Sequence, residues 1–232
     1  MRTVCVLLCW FVVGAQTTFG QEQSAARRVE FSFRPIAEGL RAGDRYVVIS
    51  SPIQTTLIDS ESAASWEEKL AEVPIIAIGR VVIKRAAFLN LRNFRTFTLV
   101  DADRANWIGS SITVQIEEVL KNGSSMSLAP EQRVTFVDEG DGSGMINGVH
   151  VDTRTEWLRP VELGRRYLLT AEVKDRFIVT GMWDEPDSRG RMQGRFRDGH
   201  EAFDKVQPFS EWNIDEAAHR LRQEIIRQRE PQ

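Results

Sequence analysis

An acidic, glycine-rich stretch, DEGDGSG at residues 138–144, has the oxygen-rich chemistry that could hold a metal ion. Asp138, Glu139 and Asp141 offer closely spaced carboxylates, and hard cations such as Ca²⁺ take several oxygen ligands from flexible loops. The spacing differs from the D-x-D-x-D-G calcium loop, and the twelfth position counted from Asp138 is Val149 rather than a glutamate. A solvated turn between strands explains the stretch more simply, and a calcium-type site at the three acidic residues is the alternative.

The densest basic stretch is SRGRMQGRFRDGH at residues 188–200. It places four arginines around one phenylalanine: Arg189, Arg191, Arg195 and Arg197, with Phe196. Barrels that bind single-stranded nucleic acid combine a basic groove with stacking aromatic side chains. Another anionic partner, such as a polysaccharide or a membrane surface, would also be attracted by the positive charge. If residues 195–197 form a strand, its two arginines face away from the phenylalanine, as at an exposed edge over a core. The four arginines are candidate binding residues, and an exposed strand edge is the competing explanation.

The sequence lacks the spacings by which common hydrolases and nucleotide-binding proteins are recognised. Its histidines, His150, His200 and His219, are scattered and form no H-E-x-x-H pair. No serine stands in a G-x-S-x-G elbow, and neither a GxxxxGK[ST] loop nor a GxGxxG turn is present. The pattern favours a non-enzymatic protein with no cofactor and no assigned catalytic residue. A hydrolase whose paired carboxylates meet only in three dimensions is the alternative, because carboxylates are plentiful.

The N-terminus predicts export. Met1 and Arg2 form a short positive start, and an almost wholly apolar stretch follows from Thr3 to Ala15. Its length suits the roughly 7–15 residues of a signal-peptide core and falls short of the roughly 20 that span a bilayer. Small residues allow cleavage after Gly20 or after Ala15, and an uncleaved anchor is the alternative. We expect a secreted or periplasmic protein with no transmembrane segment after cleavage.

Export gives the cysteine count and the net charge a meaning. Both cysteines, Cys5 and Cys9, lie inside the predicted signal peptide, so the mature chain would be held by its own core without a disulfide. The whole chain has 30 Lys and Arg against 33 Asp and Glu, a formal charge of −3. This balance disfavours nucleic acid as a partner, because that affinity depends on neutralising phosphates. A protein or an extracellular ligand is the expected partner, and the sequence leaves its identity and the oligomeric state open.

Strands are the elements that would position these residues. Residues 75–83 are dominated by β-branched side chains, and Gly79 among them predicts a bulge where the strand curves. In SITVQIEEVL, apolar residues at 112, 114 and 116 alternate with polar ones, as in a strand with one buried face. Two hairpins are predicted, one at Asn147-Gly148 and one at Lys174-Asp175, between GRRYLLTAEV and DRFIVTGMW.

Helices are predicted before the first of these strands and at the C-terminus. Residues 62–73 have a candidate capping box at Ser65 and Glu68. Near the C-terminus a stripe of apolar residues falls at helical spacing: Ile214, Ala217, Ala218, Leu221 and Ile225. Upstream of both, Val29, Phe31 and Phe33 alternate with polar residues, and DRYVVIS and IQTTLID predict two more strands. We expect residues 29–60 to pack on the main domain.

The order of these segments resembles a known family. SWEEKLAEVPIIAIGRVV, then a tryptophan before SITVQIEEVLKNG, then RVTFVDEG and LGRRYLLTAEVKDRFIVTG resemble bacterial exported proteins with an OB-like barrel. These are similar in turn to the tissue-inhibitor-of-metalloproteinases and netrin module. The resemblance spans about residues 62–200 and implies a five-stranded barrel closed near Arg195-Phe196. The animal inhibitors chelate a protease zinc through a disulfide-bonded N-terminal cysteine, which the mature chain would lack, so the resemblance implies the fold without that inhibition.

Together these features predict a mainly β protein: a five-stranded OB-like Greek-key barrel with a short helix before the first strand and a C-terminal amphipathic helix. The predicted boundaries are a signal peptide at 1–20, an N-terminal extension with short strands at 21–61, the barrel domain at 62–205 and the C-terminal helix at 206–232. The predicted function is an exported, non-enzymatic binding module of unknown ligand, with the hydrolase as the alternative.

Overall fold

The computed structural model describes residues 26–50, 73–93, 96–123, 128–155, 158–173, 177–185, 192–194 and 212–229. The strands in chain order are β1 (Arg27–Glu30), β2 (Arg45–Ser50), β3 (Ile75–Asn93), β4 (Thr96–Leu99), β5 (Trp107–Asn122), β6 (Arg133–Asp138), β7 (Gly142–Ile146), β8 (Val149–Thr155), β9 (Arg166–Val173), β10 (Phe177–Asp184) and β11 (Gln193–Gly194). Two 3-10 turns, Ile36–Gly39 and Ala102–Arg104, and the helix α1 (Ile214–Arg229) complete the elements. The predicted mainly β chain with a C-terminal helix is confirmed. The helix predicted at 62–73 lies almost wholly outside the described residues.

The strands form two sheets. The larger sheet has the order β11-β10-β9-β3-β5-β6 with β4 paired to β3, and the smaller has the order β1-β2-β8-β7. In the larger sheet β9 returns beside β3 after β5 and β6, with antiparallel pairing throughout, which is the 4-1-2-3 order of a Greek key. Cα atoms of β6 and β10 approach within 8 Å. No hydrogen-bonded pairing in the described part of the chain joins these two strands, so the sheet is not closed into a barrel.

The strand β3 curves where the sequence predicts a bulge. Its pairing register with β5 shifts between Ile78 and Gly79, which confirms that prediction. A Cβ at position 79 would lie 2.9 Å from the carbonyl oxygen of Gln115 and closer still to Val114 Cγ1. Glycine therefore lets the backbones of β3 and β5 approach each other at the bend.

Three clusters of buried side chains hold the fold together. The first lies on one face of the larger sheet and joins Ile112, Val114 and Ile116 of β5 to side chains of β6, β9 and β10, which confirms the predicted alternation. The second lies between the opposite face of that sheet and α1. The third joins the C-terminal half of β3 and the N-terminal end of β5 to the smaller sheet. Both sheets are therefore fixed to the same two long strands.

The helix α1 confirms the predicted pattern. Asn213 Oδ1 accepts a hydrogen bond from the backbone N–H of Glu216 at 2.8 Å, and Arg227 and Arg229 lie in the last turn. All five residues of the predicted stripe are buried, and they pack against β3 and Trp183. Within the described ranges, no helix is long and apolar enough to cross a membrane.

The two predicted hairpins pair as expected. β7 and β8 are antiparallel around Asn147 and Gly148, whose φ angles of 50° and 77° suit the two-residue turn. β9 and β10 are also antiparallel, while their turn at 174–176 lies outside the described residues.

The N-terminal segment differs from its prediction. β1 ends at Glu30 and is exposed along its length, so Phe31 and Phe33 follow the strand instead of belonging to it. The reason is aromatic packing, because the ring centroid of Phe31 lies 5.5 Å from that of Trp107 and 5.0 Å from that of Phe33. The predicted strand DRYVVIS is confirmed as β2, which runs parallel to both β1 and β8. The predicted strand IQTTLID, residues 53–59, lies entirely outside the described residues.

Candidate ligand-binding site

The acidic residues of the predicted calcium-type loop lie between β6 and β7. Asp138 is buried at the end of β6, and Asp141 Oδ1 accepts hydrogen bonds from N and Oγ1 of Thr155 at 2.7 and 3.0 Å. The carbonyl oxygen of Glu139 accepts a hydrogen bond from Trp107 Nε1 at 2.7 Å. These contacts fix the turn that leads from the larger sheet to the smaller one. Among the described residues, no group of three or more His, Cys, Asp or Glu could hold a metal ion, and calcium binding stays a prediction.

The predicted basic binding residues fall where the structure is not described. Arg189, Arg191, Arg195 and Arg197 all lie outside the described ranges, as does the predicted closure near Arg195-Phe196. The short strand β11 between them pairs with the end of β10. Anion binding by the four arginines therefore stays a prediction.

Asp184, at the end of β10, forms a buried ion-pair cluster. Its carboxylate accepts hydrogen bonds from Arg159 Nη2 at 2.7 Å and Arg165 Nη1 at 3.0 Å, and its side chain is 5% exposed. Arg159 also donates to the carbonyl oxygen of Gly194 at 2.7 Å. Burial alone would lower the pKa of Arg165, but the hydrogen bond and charge of Asp184, with the charge of Glu162, raise it above its ordinary value. The cluster joins the loop before β9 to β10 and β11, which is a structural role.

A second set of ion pairs joins α1 to the larger sheet. Arg166 donates to Glu117 and to Asp215, at 2.8 Å in each case, and Arg80 donates to Glu117 at 2.9 Å. Burial would lower the pKa of Arg166, but the hydrogen bonds and charges of Asp215 and Glu117 raise it. These charged groups are paired with one another, so they orient the helix rather than present themselves to a ligand.

A cavity of about 270 Å³ lies between β1, β2 and the first 3-10 turn. Its apolar lining consists of Val29, Pro35, Ile36, Leu40, Tyr46 and Val48. The Tyr46 hydroxyl is held in place, because it accepts a hydrogen bond from the backbone N–H of Arg41 at 2.9 Å and lies 3.1 Å from Asp44 Oδ2. One wall of the cavity is therefore an ordered aromatic ring.

Charged side chains of both signs line the same cavity. Glu30, Arg34 and Glu38 are exposed, and no hydrogen bond or ion pair engages their side chains within the described part of the molecule. Asn106 also lines the cavity, but its amide is committed to Leu91, accepting from N at 2.7 Å and donating to O at 2.9 Å. The three charged groups and the hydroxyl of Ser32 are thus the polar side-chain groups left for a ligand.

The sequence pattern does not predict this cavity. Residues 29–48 show apolar positions interleaved with charges, which indicates strands and turns but no pocket between them. The cavity arises because the 3-10 turn is held against the start of β5, where the N–H of Ile36 donates to the carbonyl oxygen of Ala105 at 2.8 Å. That contact joins segments far apart in the chain.

Comparison of the chain with protein-family models, curated proteins and solved structures finds no match. The resemblance to exported OB-like proteins is therefore neither supported nor opposed by known relatives. A fold in any case hosts many activities, so function has to be argued from the cavity and its side chains.

Proposed function

We propose that the chain is an exported binding module that takes a small extracellular ligand in the cavity between β1 and β2. The observation that carries the proposal is the cavity's lining: an apolar wall and three charged side chains without a partner among the described residues. Ligand sites are typically concave and mostly apolar, with a few polar groups that fix the orientation of the ligand. The volume of about 270 Å³ is at the small end of such sites and suits a ligand of amino-acid size.

The charges indicate the kind of ligand. Two carboxylates, Glu30 and Glu38, stand against the single guanidinium of Arg34. An ammonium group on the ligand would be attracted by the carboxylates, and a ligand carboxylate would be bound by the guanidinium. A small zwitterion with an apolar side chain therefore matches the lining better than a purely anionic molecule.

Titration with L-leucine, L-methionine and L-lysine, followed by amide chemical shifts, tests the proposal. We expect shifts at residues 29–48 of the wild-type protein. Ser32 lines the cavity and is exposed, so Ser32→Trp should block it and abolish those shifts. Arg34→Gln should weaken binding of all three probes.

Thr135→Trp, at an exposed position on β6, and Arg133→Gln are the matched controls and should bind the probes as the wild type does. If no probe shifts these residues, or if Ser32→Trp binds like the wild type, the cavity is not a ligand site.

We also propose that β3, β5, β6, β9 and β10 form the OB-like barrel that the sequence pattern suggests. The Greek-key order, the approach of β6 to β10 and the core that Phe136 of β6 shares with Phe177 of β10 support this proposal. OB barrels are partly open, so an incomplete seam at this position is compatible with that fold. Cross-strand proton contacts between β6 and β10 in NMR spectra are expected, and fast amide exchange along both strands would contradict the barrel.

Export is proposed from the N-terminal sequence, which lies outside the described residues. Expression with the native N-terminus should give secreted or periplasmic protein. Its intact mass should be that of a chain that begins at Gln21, or at Gln16 for the alternative cleavage. Recovery of the full chain from Met1 in the cytoplasm would contradict export.

A further inference from the structure

The outer face of the β7–β8 hairpin brings a serine, a histidine and an aspartate together in a row. Ser143 Oγ lies 3.2 Å from His150 Nε2, and His150 Nδ1 lies 3.7 Å from Asp152 Oδ1. Ser143 is paired directly with Asp152 across the hairpin, and His150 is two residues before Asp152. Because side chains alternate between faces along a strand, all three project from the same face.

The carboxylate is held beside the imidazole by a neighbouring strand. Asp152 is 15% exposed, and its Oδ2 accepts a hydrogen bond from Arg45 Nη2 at 3.4 Å. Arg45 belongs to β2, where it is the register partner of His150. The second carboxylate oxygen is thereby left for the histidine.

The imidazole is poised between its two neighbours. The His150 side chain is 41% exposed, but its Nδ1 atom is buried without a hydrogen-bond partner and lies 3.7 Å from Asp152 Oδ1. A buried polar group without a partner is costly, and a contraction of less than about 1 Å would pair it. With its proton on Nδ1, facing the carboxylate, the ring presents the Nε2 lone pair to the Ser143 hydroxyl.

We propose that Ser143 is a nucleophile activated by His150 and oriented through Asp152, and that it accepts acyl groups from activated esters. Ser143 Oγ attacks the ester carbonyl carbon and forms a new C–O bond while its proton passes to His150 Nε2. The bond to the leaving group then breaks, and the departing oxygen takes the proton from Nε2. Water repeats the two steps, releases the carboxylic acid and restores the serine.

The open edge of the smaller sheet supplies a donor for the oxyanion. Among the described residues β7 is the last strand of that sheet, and the N–H of Gly142 points towards β8, where it donates to Thr153 Oγ1 at 3.2 Å. Successive N–H groups of a strand point in opposite directions, so the N–H of Ser143 points to the open edge. The nucleophile's own N–H has this role in chymotrypsin-type serine proteases.

Acetylation by p-nitrophenyl acetate at neutral pH, mapped by mass spectrometry on the mature protein, tests this activity separately from ligand binding in the cavity. We expect Ser143 to be acetylated at least about tenfold faster than Thr135, since a positioned general base contributes about 100-fold or more. Thr135 is a suitable internal control because it is exposed and its hydroxyl is hydrogen-bonded only to Thr113 at 2.9 Å. Because water also removes the acetyl group from Ser143, labelling is compared at early times, and equal early labelling of the two residues together with p-nitrophenol release no faster than in Ser143→Ala would overturn the proposal.

Variants separate activation from simple exposure. Ser143→Ala should abolish the reaction, and His150→Gln and Asp152→Asn should slow it at least about tenfold. His219→Gln is the matched control, since His219 lies on α1 and its Nε2 makes a hydrogen bond of 3.0 Å with Nε2 of Gln223. If Ser143→Ala keeps the wild-type rate of p-nitrophenol release, an imidazole reacts directly and the serine is not the nucleophile.

Discussion

Replacing Asp184 by asparagine removes the negative charge from the most buried ion-pair cluster described above. Asp184 is 5% exposed, while Arg159 and Arg165 are 22% and 28% exposed. Breaking a buried pair by removing one partner typically costs about 3–5 kcal/mol. The asparagine oxygen still accepts one hydrogen bond and the arginines are partly solvated, so we expect a loss of about 2–3 kcal/mol in the free energy of unfolding.

Asp215 provides the matched comparison. It accepts a hydrogen bond from Arg166 at 2.8 Å, a distance like those in the Asp184 cluster, but its side chain is 79% exposed. Exposed ion pairs contribute about 0.2–1 kcal/mol, so Asp215→Asn should cost less than about 1 kcal/mol.

Urea unfolding followed by tryptophan fluorescence measures both variants. With a slope of about 2 kcal/mol per molar urea, the midpoint should fall by about 1–1.5 M for Asp184→Asn and by less than about 0.5 M for Asp215→Asn. Added salt should reduce the effect of Asp215→Asn and leave that of Asp184→Asn nearly unchanged. Equal midpoints for the two variants would refute the argument from burial.

Two further substitutions test the bend in β3 and a partly buried lysine, Lys121. Gly79→Ala should lower the free energy of unfolding by about 1–3 kcal/mol, because the new Cβ would collide with Val114 and Gln115. Gly39→Ala is the control in the same urea assay, because a Cβ at position 39 would meet no atom within 4 Å. Burial, with the charge of Arg229, lowers the pKa of Lys121 in the folded protein below 10.5. Just below pH 10.5 the unfolded chain therefore binds more protons than the folded one. The contribution of Lys121 to the free energy of unfolding consequently rises with pH in that range. Lys121→Met should remove that rise in unfolding measurements made just below pH 10.5, and an unchanged slope would contradict the assignment.

The elements predicted best are those whose burial follows from one local face. In β5, Ile112, Val114 and Ile116 alternate with polar residues because one face of the strand meets the core. The stripe on α1 is equally local, since residues three or four apart lie on the same helix face and meet the same sheet. In both segments the pattern that predicts which residues are buried lies within the segment itself.

The length of β3, by contrast, cannot be predicted from its own residues. Beyond Ile83 the sequence turns to KRAAFLNLRN, where charged residues and alanines replace the β-branched run. The strand nevertheless continues to Asn93, because Ala87, Leu89 and Leu91 are covered by the smaller sheet. That sheet depends on the parallel pairing of β2 with β8, for which neither strand contains a sequence signature. Short strands with turn signals and a glycine at a bend predict a closed barrel or a sandwich, and the family resemblance favours the barrel. None of these signals determines hydrogen bonding between β6 and β10.

The juxtaposition of Ser143, His150 and Asp152 is not predicted by sequence motifs of fixed spacing. The histidines are scattered in the sequence, and no elbow motif surrounds Ser143. Yet Asn147-Gly148 predicts a two-residue turn, and counting outward from that turn places Ser143 opposite Asp152 with His150 two positions away. The register of a tight hairpin therefore contains information on which side chains meet across it. What the register leaves undetermined is the rotamer of the imidazole and the position of Arg45, which comes from a strand about a hundred residues earlier in the chain. Ser143 and His150 were thus brought together by local turn chemistry, whereas the orientation of Asp152 depends on non-local pairing.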